Sequence, residues 1–154
     1  MALNPKLRAW LPVLIWAAFI FVMSTESFSA EHTGKIIVPA IHWLFPSLTA
    51  RQLRLAHHYV RKAAHFAEYF VFALLLFRGV RGAGKGWRWT WGLAAFSATA
   101  VYAALDEVHQ IFVTGREASF RDVLIDAAGA LAAMVVLRLW MRRRGAGAGA
   151  AALS

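Results

Sequence analysis

Four long apolar blocks, each with a polar cluster at one end, limit this chain more than any other feature. They run about Trp10–Met23, Ala63–Phe77, Trp89–Leu105 and Phe120–Trp140. A soluble domain of 154 residues does not gather a 60% hydrophobic composition, only 16% charged, into blocks of membrane-spanning length. The expected fold is all-α: a polytopic four-helix transmembrane bundle, with short interfacial helices in the first extracytoplasmic loop. One domain is expected over residues 1–144, followed by a disordered Gly/Ala tail over 145–154.

Composition removes several chemistries. Without cysteine there are no disulfides, thiol nucleophiles or zinc-thiolate sites. The net charge of +9 would suggest nucleic acid in a soluble protein. Here the basic residues flank apolar blocks, so membrane lipids are the expected partners and nucleic acid is not. The oligomeric state is left open.

The first block follows Lys6 and Arg8 and lacks a clear small-x-small site after it, so an uncleaved helix is expected. The connection over 24–60 contains Pro39 and Pro46. Its apolar stretch Ile36–Phe45, with His42 and Trp43, predicts a helix lying in the membrane interface. Ser47 or Thr49 would cap a second short helix through Tyr59. The loop over 78–88 is glycine-rich and carries four positive charges and no negative ones.

Placing both termini and that loop in the cytoplasm puts ten of the 17 Lys and Arg residues there. The expected orientation is therefore multi-pass with both termini cytoplasmic. The alternating spans then bring four polar clusters to the extracytoplasmic end: Glu26, Lys62 to Tyr69, Asp106 to Gln110, and Arg116 to Asp126. These clusters hold seven of the eight acidic residues, all but Glu31.

At ~100° per residue, Lys62, His65 and Tyr69 form one stripe, with Glu68 a turn below His65 and to the side. On the next helix Tyr102, Asp106, His109 and Gln110 share a face, while Glu107 points toward a neighbouring helix or the loop. On the last, Ser119, Asp122, Asp126, Gly129 and Ala133 share a face whose small residues permit close helix packing. Intramembrane charges are costly without partners. Pairs such as Asp122 or Asp126 with Lys62 or Arg116 can simply hold a bundle together. His32, His57 and His58 read as interfacial residues, and Arg121 as a headgroup contact.

A metal site would need several of His65, Glu68, Asp106, Glu107, His109, Asp122 and Asp126 to converge, but no dense ligand motif is present and no metal or other cofactor is expected. Ser119 lacks the setting of a nucleophile. Acid/base chemistry beside an anion site fits better. Lys62 and Arg116 offer contacts for phosphate. His65 titrates most easily near neutrality, with Glu68, Asp106 or Asp122 to orient it. A group there would meet a lipid-linked phosphate or pyrophosphate.

The ordered motifs Lys62-x-x-His65-Phe66-x-x-Tyr69, Asp106-Glu107-x-x-Gln110-x-Phe112, Gly115-Arg116-x-x-Ser119-x-x-Asp122 and Asp126-x-x-Gly129 resemble the VanZ-like family of small bacterial membrane proteins. The resemblance covers about residues 10–137. Asp126 stands where that family often has Asn, and Ala133 where a second Gly is common. The founding member is linked to resistance to the glycopeptide teicoplanin. The resemblance therefore implies a place in the bacterial envelope, and glycopeptide susceptibility as a phenotype to examine. It implies His65, Asp106, Glu107 and Asp122 as site residues, and with Glu68, taken from the acid/base reading above, these are the candidate catalytic residues. Lys62, Tyr69, Gln110, Arg116 and Asp126 are the candidate contacts to the substrate, a lipid-linked envelope component. Whether the chain is an enzyme or a noncatalytic lipid binder or carrier stays open. A structural partner of an envelope complex would use the basic cytoplasmic rim. A small transporter is disfavoured by the apolar inner halves of the helices.

Overall fold

The computed structural model describes residues 4–116 and 118–151, and all regular structure among them is helical. Five α-helices follow in order: α1 (Pro5–Met23), α2 (Ala30–Leu44), α3 (Ala50–Arg81), α4 (Trp89–Gln110) and α5 (Phe120–Ala151), with a 3₁₀ turn at Glu26–Phe28. The local chemistry explains the boundaries. Asn4 caps α1 through the Lys6 amide, and Pro5 stands at the first helical position. Ser29 caps α2. Thr49 and Gln52 form a reciprocal capping box at the start of α3.

Among the described residues, three helices are long and apolar enough to cross a membrane: Pro5–Met23, Ala50–Arg81 and Phe120–Arg144. α4, expected as a span, is not among them. Its Trp, Thr, Gly and Tyr residues dilute its hydropathy, and its last two turns carry Asp106 and Glu107. Of the two short helices expected before the second span, the first is present as α2, beginning at Ala30, and the second is not a separate helix. The capping box at Thr49 starts a single 32-residue helix that passes through Tyr59 without a break. The last turns of α5 take in 145–151, within the stretch expected as a disordered tail, and residues 152–154 lie outside the described residues.

α3 is central and packs against each of the other four helices, most extensively against α5. Its Tyr69, Phe72, Ala73, Leu76 and Phe77 meet Val13 and Ile20 of α1, Ala95 and Ala103 of α4, and Ala130, Ala133 and Met134 of α5. The buried stripe of α4 is mostly small: Gly92, Ala95, Thr99 and Ala103. Its opposite face exposes Leu93, Val101, Leu105 and Val108. A Cβ on Gly129 would stand 2.3 Å from the Phe66 carbonyl oxygen, so α5 approaches the backbone of α3 more closely than any side chain allows.

Two hydrogen bonds tie α1 into this core. The Trp16 indole donates to the Glu68 carbonyl at 2.9 Å, and the Tyr102 hydroxyl donates to the Ala17 carbonyl at 2.7 Å. Ser24 at the end of α1 meets Asp106 at the end of α4, whereas Arg8 at the start of α1 meets Arg78 at the end of α3. The α1 end, the α3 half that carries Lys62, the α4 end and the α5 start therefore lie together.

Candidate functional site

That shared end holds all ten residues singled out from the sequence. α3 supplies Lys62, His65, Glu68 and Tyr69 from one side. α5 supplies Asp122 and Asp126 opposite them, and α4 delivers Asp106, Glu107 and Gln110 from below. Lys62 pairs with Asp122. One turn deeper, His65 Nδ1 lies 3.4 Å from Asp126 Oδ1, close enough to attract but not aligned as a hydrogen bond. The close contact at Gly129 makes these two cross-helix pairs possible.

Asp106 and Glu107 are both buried, but they meet different partners. Asp106 Oδ2 accepts from the Ser24 hydroxyl at 2.7 Å and from Gln110 Nε2 at 3.0 Å. Glu107 turns away, as expected, and accepts from the Ser119 backbone amide at 2.7 Å. It thereby caps the approach to α5, while its second oxygen has no partner. Tyr69 is fully buried with its hydroxyl unpaired, and both Asp126 oxygens are buried without a hydrogen bond. Such groups mark places where the polar network is incomplete.

Arg116 comes from the turn between α4 and α5. Gly115, at φ 75°, takes a left-handed conformation that redirects the chain and carries the guanidinium back to α1. There it donates to the Met23 and Thr25 carbonyls at the open C-terminal end of that helix. Burial draws Arg116 down from its ordinary value and Arg61 adds to this. Asp106, Glu68 and Glu107 oppose both, and the group stays cationic.

Two cavities flank α3 at this end. The larger, about 900 Å³, opens between α3, α5 and the α4–α5 turn. It is lined by Arg61, Lys62, Arg116 and Arg121 with Asp122 as the single acid among its described residues, and by Ser119 and Gln110. The smaller, about 110 Å³, lies between the end of α1, α2 and α3, with Met23, Phe28, Ile37 and Val60 beside His65 and Glu68. Arg61 and Arg116 line both.

The fit to a family follows this architecture closely. The VanZ/LLP1 family profile matches residues 9–141, from the first turns of α1 nearly to the end of the apolar part of α5. The chain belongs to the VanZ/LLP1 family. No curated protein and no solved structure matches it.

Several contacts in this VanZ/LLP1 protein differ from those the sequence suggested. The carboxylate in contact with His65 is Asp126: Lys62 occupies Asp122, Ser24 and Gln110 occupy Asp106, and Glu68 shares the smaller cavity with His65 without pairing to it. His57 is buried rather than interfacial, and its Nε2 lies 3.2 Å from the Thr33 hydroxyl, which docks α2 on α3. His109 does share the α4 end with Asp106 but stacks on Phe21 at 4.7 Å between centroids. Among the described residues, no three His, Asp or Glu side chains converge as a metal-ligand set. Sequence reasoning missed Ser24 and Arg61. Ser24 looked like part of a loop. Arg61 was hidden beside Lys62, although its one-residue offset of ~100° places it between the two cavities.

Proposed function

We propose that this VanZ/LLP1 protein is a bacterial inner-membrane protein that binds the phosphate of a lipid-linked envelope component at the extracytoplasmic end of a four-helix bundle. Both termini would then be cytoplasmic and α2 would lie at the interface. α4 fits as the fourth span on length, since 22 residues extend ~33 Å, and on its exposed apolar face. One observation carries the reading. The 900 Å³ cleft presents four cationic side chains against one carboxylate already engaged by Lys62. Guanidinium forks suit phosphate oxygens, and a cleft open toward a headgroup layer suits a lipid-borne one.

Within this reading Arg61, Lys62, Arg116 and Arg121 contact the phosphate. Asp106, Glu107 and Asp122 hold the surrounding elements through the donors described above. His65 beside Asp126 is the pair available for proton transfer, which favours a catalytic form of the reading over a carrier. Continuous transport across the bundle fits poorly, because Phe72, Leu76, Phe77 and Met134 fill the core below the polar end.

The test is lipid analysis of protein extracted in native membrane patches. The wild type should hold phosphate-bearing envelope lipid in excess over the surrounding membrane, and an Arg61→Gln/Arg121→Gln variant should lose the excess. Equal lipid content in the two would overturn the reading. A His65→Gln variant that keeps the lipid but leaves it unconverted where the wild type converts it would establish catalysis. Unchanged conversion would leave a binder or carrier. Teicoplanin susceptibility of cells carrying each variant would link the site to the phenotype of the family's founding member.

A further inference from the structure

A second basic cleft lies at the opposite end of the bundle, where the start of α1 meets the α3–α4 turn. It encloses about 570 Å³. Its walls bring together Lys6 and Arg8 from the first turns of α1 with Arg78 and Arg81 from the last turn of α3, and no carboxylate is among its described lining residues. Trp10 packs flat against Gly79, where a Cβ would meet the indole at 3.4 Å, and this gives the cleft a rigid apolar floor.

Positive charge at a cytoplasmic helix end is commonly explained by membrane topology alone. That explanation does not require the basic residues of two helices to converge on one cleft. Here Arg78 reaches across to α1 and donates to the Arg8 carbonyl at 3.4 Å. None of Lys6, Arg8, Arg78 and Arg81 pairs with a carboxylate among the described residues, so four uncompensated cations converge on one cleft. The positive end of the α1 dipole faces the same space.

We infer that this cleft is an anion site that takes a phosphate-bearing group, either the phosphodiester headgroup of an anionic phospholipid or free phosphate. Basic pockets between membrane helices on the cytoplasmic side are suited to such headgroups. The Trp10 floor and the aliphatic stems of the basic side chains can accommodate the glycerol portion of a lipid. The site is separated from the outer cleft by the length of the bundle and shares no residue with it.

The experiment compares the full chain, an Arg78→Gln/Arg81→Gln variant and a Lys6→Gln/Arg8→Gln variant in lipid nanodiscs. The second pair is exposed, so its replacement leaves the core intact. Retained phosphatidylglycerol is counted by native mass spectrometry after release from discs of mixed phosphatidylglycerol and phosphatidylcholine. Thermal protection by inorganic phosphate alone is measured in detergent. The wild type should retain a phosphatidylglycerol molecule that both variants hold roughly tenfold or more weakly. Protection by inorganic phosphate that the variants lack, without selective lipid retention, would assign free phosphate as the ligand. Wild type and both variants behaving alike toward both probes would overturn the site. Repeating the comparison in an Arg61→Gln/Arg121→Gln background removes the outer cleft's contribution, and the loss caused by Arg78→Gln/Arg81→Gln should persist there, which separates failure here from failure of the outer cleft.

Discussion

The Ser24 hydroxyl at the end of α1 donates to the Asp106 carboxylate at the end of α4 across 2.7 Å, although 82 positions separate them in the chain. Both groups are buried. Ser24 also donates to the Ile20 carbonyl at 3.0 Å, so its side chain spans the helix terminus and the carboxylate together. Removing the hydroxyl leaves Asp106 with Gln110 as its remaining donor. Ser24→Ala should therefore destabilise the folded protein by about 1–3 kcal/mol. Thermal unfolding in one detergent, with Asp106→Asn and the double variant, would measure it. Coupling near zero in that cycle would show that the contact contributes nothing.

Lys62 and Asp122 should behave as a unit. Lys62→Met leaves a carboxylate only 7% exposed without its cation, whereas Lys62→Met/Asp122→Leu removes both charges. The single variant should unfold at a lower temperature than the double. The opposite order would mean that Asp122 finds another partner, such as Arg61 on the same cleft wall.

Gly129 is the point where two helices touch through their backbones. Alanine there would place a Cβ 2.3 Å from the Phe66 carbonyl oxygen, and a backbone atom in a packed helix cannot swing away. Gly129→Ala should cost about 1–3 kcal/mol by forcing α3 and α5 apart. It should also separate His65 from Asp126, one turn from the contact. Unaltered thermal stability would show that the helices have room to spare.

The absence of cysteine makes sidedness simple to measure. Ala118→Cys, beside the polar cleft, should react with an impermeant thiol reagent added outside intact cells. Ala83→Cys, in the α3–α4 turn, should react only after the membrane is opened. Labelling of both from outside would exclude the four-span arrangement.

Much of this architecture was legible from periodicity. Asp122, Asp126, Gly129 and Ala133 recur at helical spacing, and the structure buries all four on one face. The turn of Glu107 toward the α5 start was legible for the same reason, since its position relative to Asp106 is fixed by helix geometry. α4 was harder to class, because a helix buried along a stripe of Gly, Ala and Thr need not be strongly apolar. The continuity of α3 past Tyr59 depended on whether its polar first half had neighbours to pack on, and α2 provides them through Thr33 and His57.

The sequence by itself determined a helical membrane protein and the end at which its charged residues gather, because span length and side-chain periodicity are local properties of the chain. Only the tertiary structure decided which acid faces which base. That depends on the depth and rotation at which helices lock together, and a contact such as Gly129 against Phe66 sets both. It therefore assigned Asp126 to His65, Asp122 to Lys62, and Asp106 to Ser24 and Gln110. It also revealed Arg61 between two cavities and the cleft at the far end, which exist only where separate helices converge.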